Sequence, residues 1–327
     1  DVTMLQYPWV SPMAASTATN DLNYYVPRSD PGGPSMSDAI NSIDTAALGT
    51  PGCATYAYTQ RSIEPFMRDV FDQFSETRTG GAFTFMTGIG GVLQEFLYGY
   101  SGLRWNADSV AVAPSLTSQL QGVVLHGLAW HGTRFTVAVG PDTTRVTVDS
   151  GPGLPVQLAN GTHTVAPGST LTVPTRRPDR TPTTDLVRCQ PASVSSAQHG
   201  AGPLSAVDGS PATGWQPTAT TAELTVPVTG SPVSSAVLTW GQQFPGPPGP
   251  NVPPPPGPVT TLRATDYDLA VSPDGHTWTT VAQVRGRTTG TTDKLSFPRQ
   301  QARFVRLTIT GATATTPPIL TELTVTK

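Results

Sequence analysis

The chain has 327 residues, a formal net charge of -3 and only 13% charged residues. That length is too great for one ordinary domain, and the charge excludes a broad basic face for nucleic acid. Gly (32) and Pro (34) are abundant enough to demand many turns, hence much β-structure or loop.

Residues 1–105 read as helical. In MSDAINSIDTAALG, Met36, Ile40, Ile43 and Ala47 share one face at helical spacing, with Pro34 ahead and Gly49 as a stop. PGCATYAYTQRSIEPFMRDVF follows with the same periodicity. DQFSETRTGGAF is turn-rich, and GVLQEFLYGYSGL is a helix apolar almost all round, which belongs inside a larger helical array. Such a helix predicts that this chain is not an isolated folded monomer.

Residues 106–182 alternate apolar residues with Thr in TRFTVAVG, TRVTVDS, GTHTVA and STLTVP, the pattern of a small antiparallel β-domain. RRPDRTPTT reads as a linker. Residues 183–327 hold seven short strand candidates, from AELTVPV to ELTVTK, which predict a β-sandwich. The proline-rich run 245–258 cannot enter a sheet and is expected to be an extended loop.

No apolar run approaches the roughly 20 residues that cross a bilayer, and the opening DVTMLQYPWV is no signal peptide. It reads like the middle of a longer protein. The 17 Arg against two Lys are the habit of a GC-rich genome, so the chain reads as bacterial-type. Cys53 and Cys189 are either one buried and one exposed thiol or a single disulfide of an oxidising compartment.

Among the carboxylates, Glu64 and Glu95 fall in helical patterns and are expected on solvated or ion-paired faces. Glu76 falls in a loop, after Phe71 and Phe74 and before a glycine-rich turn. A carboxylate there can be a tuned base, although a solvated loop Glu is the commoner case. TGIGG at 87–91 suits close helix packing better than anion binding, since it lacks the P-loop Lys. His126 and His131 have no Cys or carboxylate close by in sequence, so a metal site is not expected there.

NYYVPRSDPGGPSMSDAI, FDQFSETRTGGAFTFMTGIGGVLQEFLYGYSGLRW and LQGVVLHGLAWHGTRFTVAVG together resemble the last part of glycoside hydrolase family 65, most of all its acid-trehalase branch. The resemblance covers about residues 1–180. It implies the C-terminal helices of an (α/α)6 barrel followed by a small antiparallel β-domain, with a companion chain or N-terminal fragment completing the barrel.

Family phosphorylases carry a His-Asp-Ser-Ser-Leu-Ser stretch and a Gly-Ile-His segment. Here DPGGPSMS and AFTFMTG stand instead, which removes the phosphate ligands. The hydrolase branch carries a Phe-Ser-Glu motif, matched by Phe74-Ser75-Glu76. A hydrolase needs a base for water, whereas phosphate is already anionic and would be repelled by that carboxylate. The resemblance therefore implies inverting hydrolysis of α,α-trehalose with Glu76 as general base. The general acid and a sugar-holding Lys-Gln pair are expected outside this chain. Tyr25, Asp30, Phe85 and Thr87 flank the two divergent motifs and are expected to line the substrate pocket. Kojibiose or nigerose is the alternative substrate, and a noncatalytic glycan-binding protein is the rival class.

SAVDGSPATGW, DYDLAVSPDGHTWTTV, ARFVRLTI and ELTV resemble the discoidin fold of family 32 carbohydrate-binding modules. That resemblance implies a structural Ca2+ held by Asp208, Ser210, Thr213 and Glu322, whose oxygens suit a hard cation. Trp215 and Trp278 are expected in its core. No cofactor is expected for catalysis. The combined reading is a secreted or cell-surface enzyme.

Overall fold

The structure, a computed structural model, describes residues 2–30, 32–245, 258–313 and 315–327. A few helices come first and many antiparallel strands follow. The chain divides into two compact units, residues 1–19 with 34–181 and residues 20–33 with 182–327. Most of the proline-rich run at 245–258 lies outside the described residues. Cys53 and Cys189 are both disulfide-bonded, so neither is the free thiol of the first cysteine reading.

The helices are α1 (Ala15–Tyr25), α2 (Ser37–Leu48), α3 (Ala54–Ile63) and α4 (Met86–Gln94). The first was not apparent from the sequence, because STATNDLN holds little apolar periodicity. In the first unit, α2 matches its expected bounds. Gly49 ends it in the left-handed conformation (φ 64°), which glycine adopts without a Cβ penalty, and its N–H donates to Thr45 O at 3.0 Å.

The pattern of α3 extends past Ile63, but Pro65 removes a donor and the chain turns into a 3-10 segment, Glu64–Phe66. The stretch expected to be turns is a small sheet: β1 (Met67–Arg68), β2 (Gln73–Thr77) and β3 (Gly80–Phe83), all antiparallel. The expected apolar helix begins earlier, at Met86, and passes from α-helix into a π-helix over Glu95–Tyr100. Gly99 lets this segment approach α2 closely: a Cβ there would sit 3.4 Å from Ile43 Cα.

The β-part of the first unit packs a four-stranded antiparallel meander, in the order 170–174, 143–150, 133–139, 123–130, with a second four-stranded sheet. Period-two burial in Thr133–Val139 puts Phe135, Val137 and Val139 into a core with Val146, Val148, Leu154 and Val156. The expected linker is partly docked. Arg176 donates to Ala46 O (2.9 Å) and Ala47 O (3.1 Å) at the end of α2 and to Ala113 O (3.0 Å), and Arg177 pairs with Asp179 at 2.8 Å. Arginine's five donors, matched to otherwise orphaned helix-end carbonyls, turn a linker-like composition into a fastening.

The second unit is a β-sandwich. One sheet has the strand order 193–194, 222–227, 304–312, 264–272, 279–284, and the other 292–300, 233–240, 320–326. Inward residues alternate along each strand, and Trp215 and Trp240 are buried between the sheets. Trp278 is only half-buried, with the Arg306 guanidinium 3.9 Å from its ring centre. Inside the core lies a fully buried ion pair, Arg263 Nη2 to Asp293 Oδ2 at 2.7 Å. The same oxygen accepts from Tyr267 OH (2.7 Å) and Trp240 Nε1 (2.9 Å), while Arg263 also donates to Thr289 O and Gly290 O. A buried pair this deep is costly to break from one side, because the remaining charge is stranded. Asp293→Ala should therefore destabilise the sandwich by about 3–5 kcal/mol. Urea unfolding followed at the buried tryptophans checks this, and a loss below ~1 kcal/mol contradicts it.

Candidate functional site

Glu76 lies not in a loop but in β2, where the register with β3 slips. Ser75 pairs with Phe83 and Thr77 with Gly80, so Gly81 and Ala82 on β3 stand opposite the single residue Glu76, a β-bulge in β3. Bulges re-aim a side chain out of the regular alternation. Glu76 is half-buried, and its Oε2 accepts the Ala82 N–H at 3.0 Å. No ion pair engages it among the described residues. Gly81 must be glycine to permit this: its φ is +81°, and a Cβ would come within 2.8 Å of Glu76 Oε2.

Several contacts position the hairpin. Ser75 is buried and donates to Phe66 O (3.1 Å) and Thr77 O (2.8 Å). Ser35 N–H donates to Glu76 O at 2.8 Å, and Arg68 donates to Thr77 O and Arg78 O. Phe85 precedes α4 and its N–H donates to Phe74 O at 2.9 Å, so it is tied to the Glu76 strand. Thr87 is exposed in the first turn of α4. Gly88 serves close packing rather than an anion, since a Cβ would lie 2.3 Å from Ser35 Oγ and 2.7 Å from Phe74. Tyr25 and Asp30 belong to the other unit. There Tyr25 stacks edge-on with Tyr24 at 4.9 Å, and Asp30 Oδ1 accepts Gly32 N–H at 2.9 Å.

In the sandwich, Asp208, Ser210 and Thr213 come together. Asp208 Oδ1 accepts Ser210 N–H (2.8 Å) and its Oδ2 accepts Thr213 Oγ1–H (2.7 Å). Glu322 joins them through Gly209 N–H at 3.2 Å. Glu322 and Gly209 border a cavity of about 360 Å³ lined also by Asp185 and Arg188. Burial first, then the Asp208 and Asp185 carboxylates, push the Glu322 carboxyl well above its ordinary value. Asp185 was not apparent from the sequence, since it lies in the linker-like stretch. Among the described residues no group of three or more His, Cys, Asp or Glu is arranged as a metal cluster.

Residues 103–165 match the family model described as glycosyl hydrolase family 65, C-terminal domain, and residues 256–323 match the F5/8 type C domain. The chain is similar to an acid trehalase of Emericella nidulans, 32% identical over 276 residues, covering 75% of this chain and 26% of that protein. A cell wall acid trehalase of Arthroderma benhamiae is 31% identical over 268 residues, covering 70% of this chain and 25% of that one. The chain thus spans about a quarter of the length of these curated relatives. A chitosan-binding module from a Paenibacillus chitosanase/glucanase aligns at 23% identity and TM-score 0.36, covering 44% of this chain and 98% of the module. No described helix is long and apolar enough to cross a membrane.

The family 65 match begins just after a carboxyl that the sequence reading put in solvent. Glu95 is fully buried at the start of the π-helix. Ser62 Oγ–H donates to its Oε1 and Thr59 Oγ1–H to its Oε2, both at 2.5 Å, and Tyr100 OH lies 2.9 Å from Thr59 Oγ1. Burial pushes Glu95 up to about 7, against the hydroxyls of Ser62, Thr59 and Ser42, with Asp38 adding a smaller upward push. Asp44 is buried too and is pushed up to about 8, chiefly by burial; its Oδ2 has no hydrogen-bond partner. The signal for Glu95 was present: Thr55, Thr59 and Ser62 form a polar stripe on α3 that needs a buried partner.

Both folded-state values lie above the ordinary ones, so the folded unit holds protons the unfolded chain releases. The stability that Glu95 contributes is fully present below its ordinary value of 4.5 and is lost as pH rises through about 7. The first unit should accordingly be more stable at acid than at neutral pH, with about 3 kcal/mol attributable to Glu95. Glu95→Gln, neutral at every pH, should flatten that slope. Urea midpoints of the first unit between about pH 4 and about pH 8 check it; an unchanged slope in the Gln variant refutes the assignment.

Proposed function

We propose that this chain is part of an inverting glycoside hydrolase that cleaves α,α-trehalose, with Glu76 as the general base. The observation that carries the reading is the setting of Glu76: a half-buried carboxylate facing the β3 bulge, with one oxygen fixed by the Ala82 N–H and no cation paired to it among the described residues. A base for water needs an ionised oxygen free to accept a proton and rigidly aimed, and a noncatalytic scaffold has no use for either. The similarity to two acid trehalases supports the substrate.

In the mechanism, the free Glu76 oxygen takes a proton from water as that water attacks the anomeric carbon. A second carboxyl group, beyond this chain, protonates the departing glucose. Inverting pairs stand about 6.5–9.5 Å apart to leave room for the water. Phe85, tied to the Glu76 strand, lines the pocket with Thr87. The helices are the C-terminal part of an (α/α)6 barrel covering residues 1–105, followed by a β-domain at 106–182 and a discoidin-like module at 183–327. Exposed Met86 and Leu93, two turns apart on α4, support a further polypeptide segment covering that face. The disulfide-bonded cysteines support a secreted or cell-surface location.

The discoidin-like module suits a structural Ca2+. Its fit rests on the crowding of Glu322 against Asp208 and Asp185, a concentration of oxygen-borne negative charge that a divalent cation would relieve. Asp208, Ser210, Thr213 and Glu322 would hold it and tie the ends of the sandwich. EDTA should lower the melting temperature of this module while leaving hydrolysis nearly unchanged; an unaltered melting temperature removes the cation.

Glu76→Gln keeps the shape and removes the proton acceptor. It should lower kcat on trehalose by about 10²–10⁴-fold with little change in KM. Rapid NMR of the wild type should show one β-glucose and one α-glucose per turnover. A wild-type kcat in the Gln variant overturns the role of Glu76, and two α-glucoses overturn inversion.

A further inference from the structure

A second cavity, about 310 Å³ in volume, lies in the first unit away from the Glu76 hairpin and has no part in the reading above. Tyr7, Tyr98, Arg104, Trp105 and Asn106 line it. Its size falls at the lower end of small-ligand pockets, about 300–1,000 Å³, which fits a mono- or disaccharide.

The Tyr7 hydroxyl is committed as a donor and the Tyr98 hydroxyl as an acceptor. Tyr7 OH donates to Gln94 Oε1 at 2.5 Å, and Trp105 Nε1 donates to Tyr98 OH at 3.1 Å. The two tyrosine rings stand 5.7 Å apart, and the Arg104 guanidinium lies 5.2 Å from the Tyr7 ring centre and 5.9 Å from that of Tyr98. Arg104 spends Nη1 on Tyr98 O and Leu103 O, both at 2.7 Å, and forms no ion pair among the described residues. Asn106 uses its Nδ2 on Ser109 Oγ at 3.3 Å, its N–H on Ser109 O, and its carbonyl for Trp130 Nε1. The pocket therefore offers the remaining guanidinium N–H groups as donors, the Asn106 Oδ1 as acceptor, and a rigid aromatic wall. Trp105, 40% exposed, stands at its edge.

We infer that this cavity is a second saccharide-binding site, taking one neutral sugar unit against Trp105 with its hydroxyls on Arg104 and Asn106. A pyranose has an apolar C–H face and a rim of hydroxyls that both donate and accept, which is what this lining asks for. An aliphatic chain would leave Arg104 and Asn106 unsatisfied. A cation would meet the guanidinium. A small anion would pair with Arg104 but face the lone pairs of Asn106 Oδ1 and find no use for the aromatic wall.

The test is equilibrium titration of the full chain with D-glucose, followed by calorimetry, with inorganic phosphate as the contrasting probe. Saturable glucose binding with Kd on the order of 1 mM is expected. Trp105→Ala should weaken it at least about 10-fold, and Trp105→Phe, which keeps a ring, by no more than about 3-fold. Asn106→Ala should also weaken it, which guards against a folding defect at Trp105. Glu76→Gln should leave this binding unchanged even as it abolishes hydrolysis, so failure of the site and failure of the catalytic reading are told apart. Absence of saturable glucose binding, wild-type affinity in Trp105→Ala, or saturation by phosphate in place of glucose overturns the inference.

Discussion

The hydroxyl–carboxyl contacts of Thr59 and Ser62 with Glu95 hold the helical part of the first unit in place. Thr59 and Ser62 end α3, and Glu95 follows α4 directly. Everything between them is one excursion: the 3-10 turn, the three short strands with the β3 bulge facing Glu76, and α4. Fastening its two feet at one buried carboxyl gives the hairpin a fixed base, and Gly88 against Ser35 and Phe74 adds a second fixed point. The aim of a carboxylate on strands this short depends on such support, because an isolated hairpin is marginal in water.

The two units solve the problem of interior polarity differently. The sandwich buries an ion pair, with Asp293 Oδ2 accepting from arginine, tyrosine and tryptophan together and Oδ1 facing Arg287. The helical part buries Glu95 and Asp44 with no ion pair to either among the described residues, and burial pushes both carboxyls up. A charge pair holds at any ordinary pH, whereas a lone buried carboxyl favours acid conditions.

Legibility followed the strength of the local signal. α2 was readable because Pro34, the apolar spacing and Gly49 agree, and the strands at 133–150 because their alternation is long and strict. The hairpin carrying Glu76 looked like turns because its strands are two to five residues long and bulged, too short for a period to show. Glu95 was misjudged because charge on a helical pattern argues for solvent unless tertiary partners are known. Asp185 and Arg176 sat inside a composition typical of linkers. The role proposed for Glu76 rests on its Phe-Ser-Glu context, while the β3 bulge facing it and the Ala82 contact came only from the fold.

The fastening of Arg176 bears on how this chain tolerates cutting. Residues 176–180 carry three arginines in a proline-rich stretch, an inviting target for a trypsin-like protease. Yet Arg176 caps the carbonyl end of α2, Arg177 is clamped by Asp179 and Ser118, and Pro178 is buried. Proteases need an extended, detachable backbone, so this segment is shielded by the groups that make it look vulnerable. A fragment of the first unit ended before Arg176 would expose the last carbonyls of α2, and one carried through Arg180 would keep them capped.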